Sequence, residues 1–341
     1  MQSDVTSTIR VSTVAVLVLL IETLLFGTFI TSSSHESEAF VANKEIALMT
    51  AKGSASSTLP VVVAASPPAH APPALPPRLQ SGMYAGETLA DGALFDMLVD
   101  HKMDMQAVFV SQDGKDGSFP LSYASSIRDQ GKTMVLFWEQ SGTTLDQIID
   151  GSSDAYIKQF AATAKAYGGP VLLSPFHEMN GYWTPWSGVA PGNSPQKLIL
   201  AWRHVRDLFQ GVSNVRFVFT VNSDSVPDTA ANSIASYYPG DAYVDDVAVD
   251  GFNFGSPWYS FDSILRAPLT QLATYKKPIY ILSMASAQGP EKAAWITDAF
   301  TVQLPKYPGV VGWVWFNQNK EQNWLVSSDP ASLAAFKAVV R

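Results

Sequence analysis

The sequence predicts a (β/α)₈ barrel, an α/β fold in which eight parallel strands alternate with helices. Three observations carry that expectation. From about Ser81 onward, short apolar runs alternate with amphipathic stretches, and eight such pairs in about 260 residues match the usual size and rhythm of the fold. Polar residues cluster at the ends of the apolar runs: Gln112, Glu139, His177, Glu178, Asn222, Asp250, Asn253, Asn317 and Gln318. Barrels of this class carry their chemistry on that end of the strands. No Gly-rich phosphate loop follows the first strand, so a doubly wound open sheet is the weaker alternative.

The chain opens with a different kind of segment. Val11 to Ile30 is almost continuously apolar and long enough to cross a bilayer as a helix, although Glu22 near its middle is costly in lipid. Arg10 before the run and Glu36 and Glu38 after it favour a cytoplasmic N-terminus. Residues 1–31 read as an uncleaved signal anchor or a long signal peptide. The anchor is favoured, because the run is long and no clean small-x-small cleavage site follows closely. Residues 32–80 read as an extended tether, with Pro60, Pro67, Pro68, Pro72, Pro73, Pro76 and Pro77 set among Ala, Val and Ser. The barrel, residues 81–341, is expected outside the cytoplasm, either membrane-anchored or secreted.

Within the barrel, strand ends are expected near Ala85, Gln112, Glu139, Glu178, Asn222, Asn253, Ser286 and Gln318. Helical stretches are expected at 90–102, 121–130, 153–167, 195–210, 229–238, 261–275, 291–304 and 330–340. Two start signals are plain: Ser194-Pro195 and Asp329-Pro330 place a capping residue before a proline at the first helical position.

Composition narrows the function. The chain has 341 residues, a net charge of −8 and no cysteine. The acidic balance argues against nucleic acid as a partner. A lack of cysteine excludes disulfides and thiolate metal sites but not export.

The stretch Pro170–Gly188, PVLLSPFHEMNGYWTPWSG, concentrates the chemistry. A buried strand delivers His177, Glu178 and Asn180, and Tyr182, Trp183 and Trp186 follow. A carboxyl can protonate a glycosidic oxygen, and flat rings can cover the apolar faces of sugars. Other chemistries fit poorly. The HEMNG segment lacks the second His of H-E-x-x-H, because Gly181 stands there, so no metal and no cofactor are expected. There is no P-loop and no G-x-S-x-G nucleophile elbow.

HEMNGYWTPWSG resembles the acid/base segment of family 26 glycoside hydrolases, whose best-known members are secreted endo-β-1,4-mannanases. AWRHVRDLF (201–209), NVRFVFTVN (214–222), YYPGDAYVDDVAVDGFNFG (237–255), KPIYILSMASAQGPEKAAWITDAF (277–300) and VGWVWFNQNKEQNW (311–324) extend the resemblance over roughly 81–341. Phe254 stands where the family usually has Trp. The resemblance implies Glu178 as acid/base. It also implies a β-mannan or β-glucan in contact with His177, Asn180, Trp183, Trp186, Trp138, Asn222, Asn253, Trp258 and Trp315.

One position departs. A retaining glycosidase needs a second carboxylate as nucleophile. The family's nucleophile position falls on Ser283, and no carboxylate occurs from Lys277 to Pro290. Ser174 likewise replaces a residue that is commonly basic. A serine ether would be a dead end, so Ser283 is not expected to act as a nucleophile. Two function classes follow: a glycan-binding protein with weak or no cleavage, or a hydrolase using Glu139 or Asp250 as a relocated carboxylate. A scaffold in exopolysaccharide assembly is a further possibility. Glu291 is read as a helix cap.

Overall fold

The computed structural model describes residues 78–111 and 118–340. The apolar run at 11–30, the tether up to residue 77 and the strand end at Gln112 lie outside them. Among the described residues, no helix is long and apolar enough to cross a membrane.

Eight strands form a closed barrel in sequence order: β1 (Gln80–Tyr84), β2 (Met105–Ser111), β3 (Thr133–Glu139), β4 (Val171–Pro175), β5 (Val215–Asn222), β6 (Asp246–Asn253), β7 (Ile279–Ser286) and β8 (Val310–Phe316). Every neighbouring pair is parallel, and β1 closes on β8 from Gln80 opposite Gly312 to Tyr84 opposite Phe316. The helices are α1 (Asp91–Val99), α2 (Leu121–Asp129), α3 (Leu145–Ile149), α4 (Asp154–Tyr167), α5 (Pro195–Leu208), α6 (Phe261–Ala273), α7 (Lys292–Asp298) and α8 (Pro330–Val339). The start signals act as expected: Ser194 Oγ accepts from Lys197 N at 3.1 Å, and an Asp329 carboxylate oxygen accepts from Ser332 N at 2.9 Å.

A parallel strand flanked by helices is buried on both faces, so its sequence reads as a continuous apolar run. In β4 and β7 every position is buried. Alternate side chains then go to different layers. Outward residues pack on the helices, as Trp138 does on Phe160 of α4, with centroids 4.2 Å apart. Inward residues fill the barrel mouth: Phe109 of β2 stacks on Phe137 of β3 at 4.5 Å, and Phe316 of β8 lies 5.1 Å from Tyr84 of β1.

Several boundaries differ from expectation. β4 ends at Pro175, three residues before Glu178, and β8 ends at Phe316 rather than near Gln318. The stretch 229–238 is not an α-helix but two 3₁₀ turns, Ala230–Asn232 and Ile234–Tyr237. Asn232 explains this, because its side-chain amide donates to the Asn180 and Pro227 carbonyls (2.8 and 2.9 Å) and pins the chain away from a helical path. The helix α3 went unrecognised in the sequence. Its signal was a capping box in which Thr144 Oγ1 accepts from Gln147 N at 3.2 Å and Gln147 Oε1 accepts from Thr144 N at 3.0 Å. α7 stops at Asp298 and continues as a π-turn, Ala299–Gln303.

One irregularity bears on the site. The β6–β7 register shifts between Val249 and Asp250, and beyond the shift Asp250 lies opposite Ser283.

Candidate active site

Glu178 is delivered by a turn rather than by a strand. After Pro175 the backbone enters the left-handed region at Phe176 (φ 56°) and again at Glu178 (φ 54°). Such conformations cost about 1–3 kcal/mol each and persist only where the surroundings fix them. Here Glu178 N donates to Thr220 O of β5 at 3.0 Å, and Gly181 N donates back to Glu178 O at 2.9 Å. A side chain at Gly181 would push the Trp183 ring aside, since a Cβ there would stand 2.4 Å from it.

The Glu178 carboxylate has two donors. Trp183 Nε1 donates to Oε2 at 2.7 Å, and Asn222 Nδ2 donates to Oε1 at 3.1 Å. Trp183 is 45% exposed and Tyr182 67% exposed, so this carboxylate stands beside open aromatic surface. On the loop after β6, Phe254 and Tyr259 are about equally open, at 51% and 50%. Trp258 is half-buried on the same loop.

Behind Glu178 lies a line of ionisable groups. His177, 8% exposed, places Nε2 3.4 Å from Glu139 Oε1 and Nδ1 4.0 Å from Asp250 Oδ2. Single ligand-type atoms of His177, Glu178 and Asp250 all lie within 4.8 Å of one another. Asp250 is 1% exposed, and its Oδ1 has no hydrogen-bond partner. Burial, helped by the Glu178 charge, pushes the Asp250 carboxyl well above the usual range, against the Ser283 backbone N–H that favours the ionised form. Ser283 itself is buried. Ser174 is also buried, and its hydroxyl donates to Thr220 Oγ1 at 2.7 Å.

The predicted site residues thus fall into two groups. The structure brings His177, Glu178, Trp183 and Asn222 together, and it sets Ser283 beside Asp250 on the neighbouring strand. Trp258 is half-buried on the loop after β6, but Trp138, Trp315, Trp186, Asn180 and Asn253 do not reach an open surface. Trp138 and Trp315 point outward from the barrel and are fully buried. Trp138 donates to Tyr156 Oη at 3.0 Å, and Trp315 packs 5.2 Å from Phe336 of α8. Neither can offer a face to a sugar, because side chains alternate and these positions face the helices. Trp186, 3% exposed, is a buried brace whose Nε1 donates to His177 O at 2.8 Å.

Asn180 and Asn253 are corrected in the same way. Asn180 Nδ2 donates to Asn222 O at 3.0 Å, and its Oδ1 accepts from Asn222 N at 2.8 Å, which clamps the β4 turn to β5. Asn253 Nδ2 donates to Ser286 Oγ at 2.9 Å, and its Oδ1 accepts from Gly255 N and Tyr259 N. Both side chains are fully buried and spend their polar atoms on the protein.

The sequence reading missed the aromatic floor of the mouth. Tyr84, Phe109, Phe137 and Phe316 join edge and face there, and Phe252 lies 5.7 Å from Phe316. A signal was available, since each of these aromatics lies within the last three residues of its strand.

Residues 123–327 match the family model described as Glycosyl hydrolase family 26. Over 275 residues the chain is 36% identical to Endoglucanase H of Acetivibrio thermocellus, covering 77% of this chain and 30% of that protein. Over 149 residues it is 24% identical to a mannan endo-1,4-beta-mannosidase of Bacillus subtilis, covering 43% of this chain and 39% of that protein. The chain therefore spans well under half the length of either relative. Among solved structures it is similar to a GH26 beta-mannanase from Bacteroides ovatus, with TM-score 0.61 and 16% identity over 77% of this chain and 88% of that one. The catalytic domain of an endo-beta-1,4-mannanase from Bacillus sp. JAMB-750 gives TM-score 0.60 and 16% identity, over 77% and 85% of the two chains. At such identity these structures speak to the fold alone.

Proposed function

The chain belongs to glycosyl hydrolase family 26, and from that membership we propose that it engages a β-linked polysaccharide at the barrel mouth and cleaves it weakly or not at all. The observation that carries this reading is the pairing of Asp250 with Ser283. Glu178 stands ready as acid/base, but the position proposed for the nucleophile holds a serine. The carboxylate beside that serine is buried and favours its proton. Double displacement needs an ionised carboxylate with access to the anomeric carbon.

The substrate class is a β-mannan or β-glucan, in keeping with the names of the relatives, one an endoglucanase and one a mannan-degrading enzyme. Trp183, Tyr182 and Trp258 would supply stacking surface, and His177 and Asn222 polar edges beside Glu178. The proposal includes an extracytoplasmic barrel, held at a membrane by residues 11–30 or released. A glycan array followed by a reducing-end assay on each hit tests it. Binding without appreciable release of ends is expected; absence of any glycan binding would end the reading.

A second reading has one observation in its favour. Carboxylate oxygens of Asp250 and Glu178 lie within 4.8 Å, close to the spacing of about 5–5.5 Å between carboxyl groups in retaining enzymes. On that reading Asp250 is a relocated nucleophile and the protein is an active hydrolase. Glu139 is less well supported, because its carboxylate is turned to His177.

A further inference from the structure

We propose that His177, Glu178 and Asp250 form a binding site for a first-row divalent cation such as zinc or manganese. The proposal goes beyond the glycan reading and does not depend on it. It starts from a mismatch in hydrogen bonding. Asp250 is 1% exposed and its Oδ1 has no partner. A buried polar atom without a partner is uncommon in a folded protein and calls for an explanation. The only cluster of three or more ligand-type side chains among the described residues is the one this carboxylate belongs to.

The imidazole is oriented for the same purpose. With Nε2–H directed at Glu139 Oε1, 3.4 Å away, the neutral ring leaves the Nδ1 lone pair facing Asp250 Oδ2 at 4.0 Å. An outer carboxylate on one ring nitrogen and a free lone pair on the other is how metal-binding histidines are usually held. Glu178 completes the set. Its oxygens each accept one hydrogen bond, from Trp183 and from Asn222, and a carboxylate oxygen has a second lone pair to offer.

Charge and size agree. Once a cation has displaced the proton that buried Asp250 otherwise favours, the imidazole and two carboxylates together carry −2, which a divalent cation neutralises. Serine at 283 adds no further negative charge there. The three ligand atoms lie within 4.8 Å of one another. Bonds of about 2.0–2.2 Å to zinc would hold tetrahedral ligands roughly 3.4 Å apart, so binding draws the groups inward. Glu178 is the longest and most exposed of the three and can make that movement. One nitrogen and two oxygens favour zinc or manganese over calcium or magnesium, which prefer oxygen alone. The remaining coordination positions are left to water or to a pair of sugar hydroxyls.

H-E-x-x-H is absent, because Gly181 stands where its second His would be. That pattern sets its ligands on one helix, whereas here the third ligand arrives from β6.

The full chain, treated with a chelator and dialysed, would be titrated with zinc and, separately, manganese by calorimetry without any glycan present. Metal content after dialysis would be read by mass spectrometry. One equivalent per chain is expected for at least one of the two ions. Glu178→Gln and Asp250→Asn should each weaken binding at least tenfold, and Glu139→Gln by about tenfold through His177. His204→Gln, at the separate pair with Asp154 (2.6 Å), should leave it unchanged. Circular dichroism melts would identify any variant that fails to fold, and Glu178→Gln, at a half-exposed position, is the safest arm. Binding of neither ion by the parent overturns the proposal. So does binding that survives in folded Glu178→Gln and is lost in His204→Gln.

Discussion

Trp183 donates its indole N–H to Glu178 Oε2 at 2.7 Å while nearly half of the ring faces solvent. One side chain therefore does two separable things: it fixes a carboxylate and it offers a flat apolar surface.

Two substitutions separate these roles. Trp183→Ala removes both and should weaken oligosaccharide binding several-fold, since an aromatic contact is worth on the order of 1 kcal/mol beyond its buried area. Trp183→Phe keeps a ring and removes only the donor, so most of the affinity should remain. Calorimetric titration with manno- and gluco-oligosaccharides checks this. Equal losses in the two variants would assign binding to the hydrogen bond instead of the ring.

Placing a carboxylate at Ser283 tests the impaired-cleavage reading. Ser283→Glu should produce measurable endo-hydrolysis of a β-mannan or β-glucan above a near-zero parent, read as new reducing ends. The gain should disappear when Glu178→Gln is added. Asp250 lies opposite this position, so the new carboxylate meets a neighbour and the gain will be modest. A parent that already cleaves briskly, and stops only in Asp250→Ala, would establish the relocated-nucleophile reading.

Asn180 holds the turn that presents Glu178. Asn180→Ala would strand the half-buried Asn222 N–H and leave the Asn222 carbonyl short of a partner. An unsatisfied buried group costs about 1–3 kcal/mol, which should lower the melting temperature by several degrees. Chemical denaturation followed by intrinsic fluorescence measures the loss. An unchanged midpoint would mean that the clamp is not rigid in solution.

At the opposite end of the barrel, Arg78 forks onto the Asp104 carboxylate, with Nη1 to Oδ2 at 2.8 Å, and Ser81 N donates to the same carboxylate at 2.9 Å. Burial pushes the Asp104 carboxyl up, but Arg78 and Ser81 outweigh it and the net shift is downward. A lowered carboxylate contributes stability above its unfolded value of about 3.9 and loses it as pH falls through the folded value. A chain beginning at Arg78 should thus be more stable than one beginning at Gln80 at neutral pH, by about 1 kcal/mol or less because Arg78 is largely exposed. The difference should fade below about pH 4. Paired urea melts at neutral and acid pH would show it, and a gap that widens in acid would contradict the assignment.

By itself the sequence determined the architecture. Apolar runs such as IYILSMAS and WVWF had to be buried on both faces, and their alternation with amphipathic helices admits few other folds. It also determined that a carboxylate, an imidazole and aromatic rings meet at one strand end, because those residues are adjacent in the chain. Only the tertiary structure decided which rings are open. Trp138 and Trp183 look alike in the sequence, but strand alternation turns one onto α4, while a left-handed turn lifts the other to the surface. It decided as well that Asn180 and Asn253 serve the backbone. It further set Asp250 opposite Ser283 and within reach of Glu178, a meeting of three elements that depends on the β6–β7 register shift. Periodicity constrains which face a residue takes within one strand; the register between strands depends on packing around the whole barrel, and no local pattern records it.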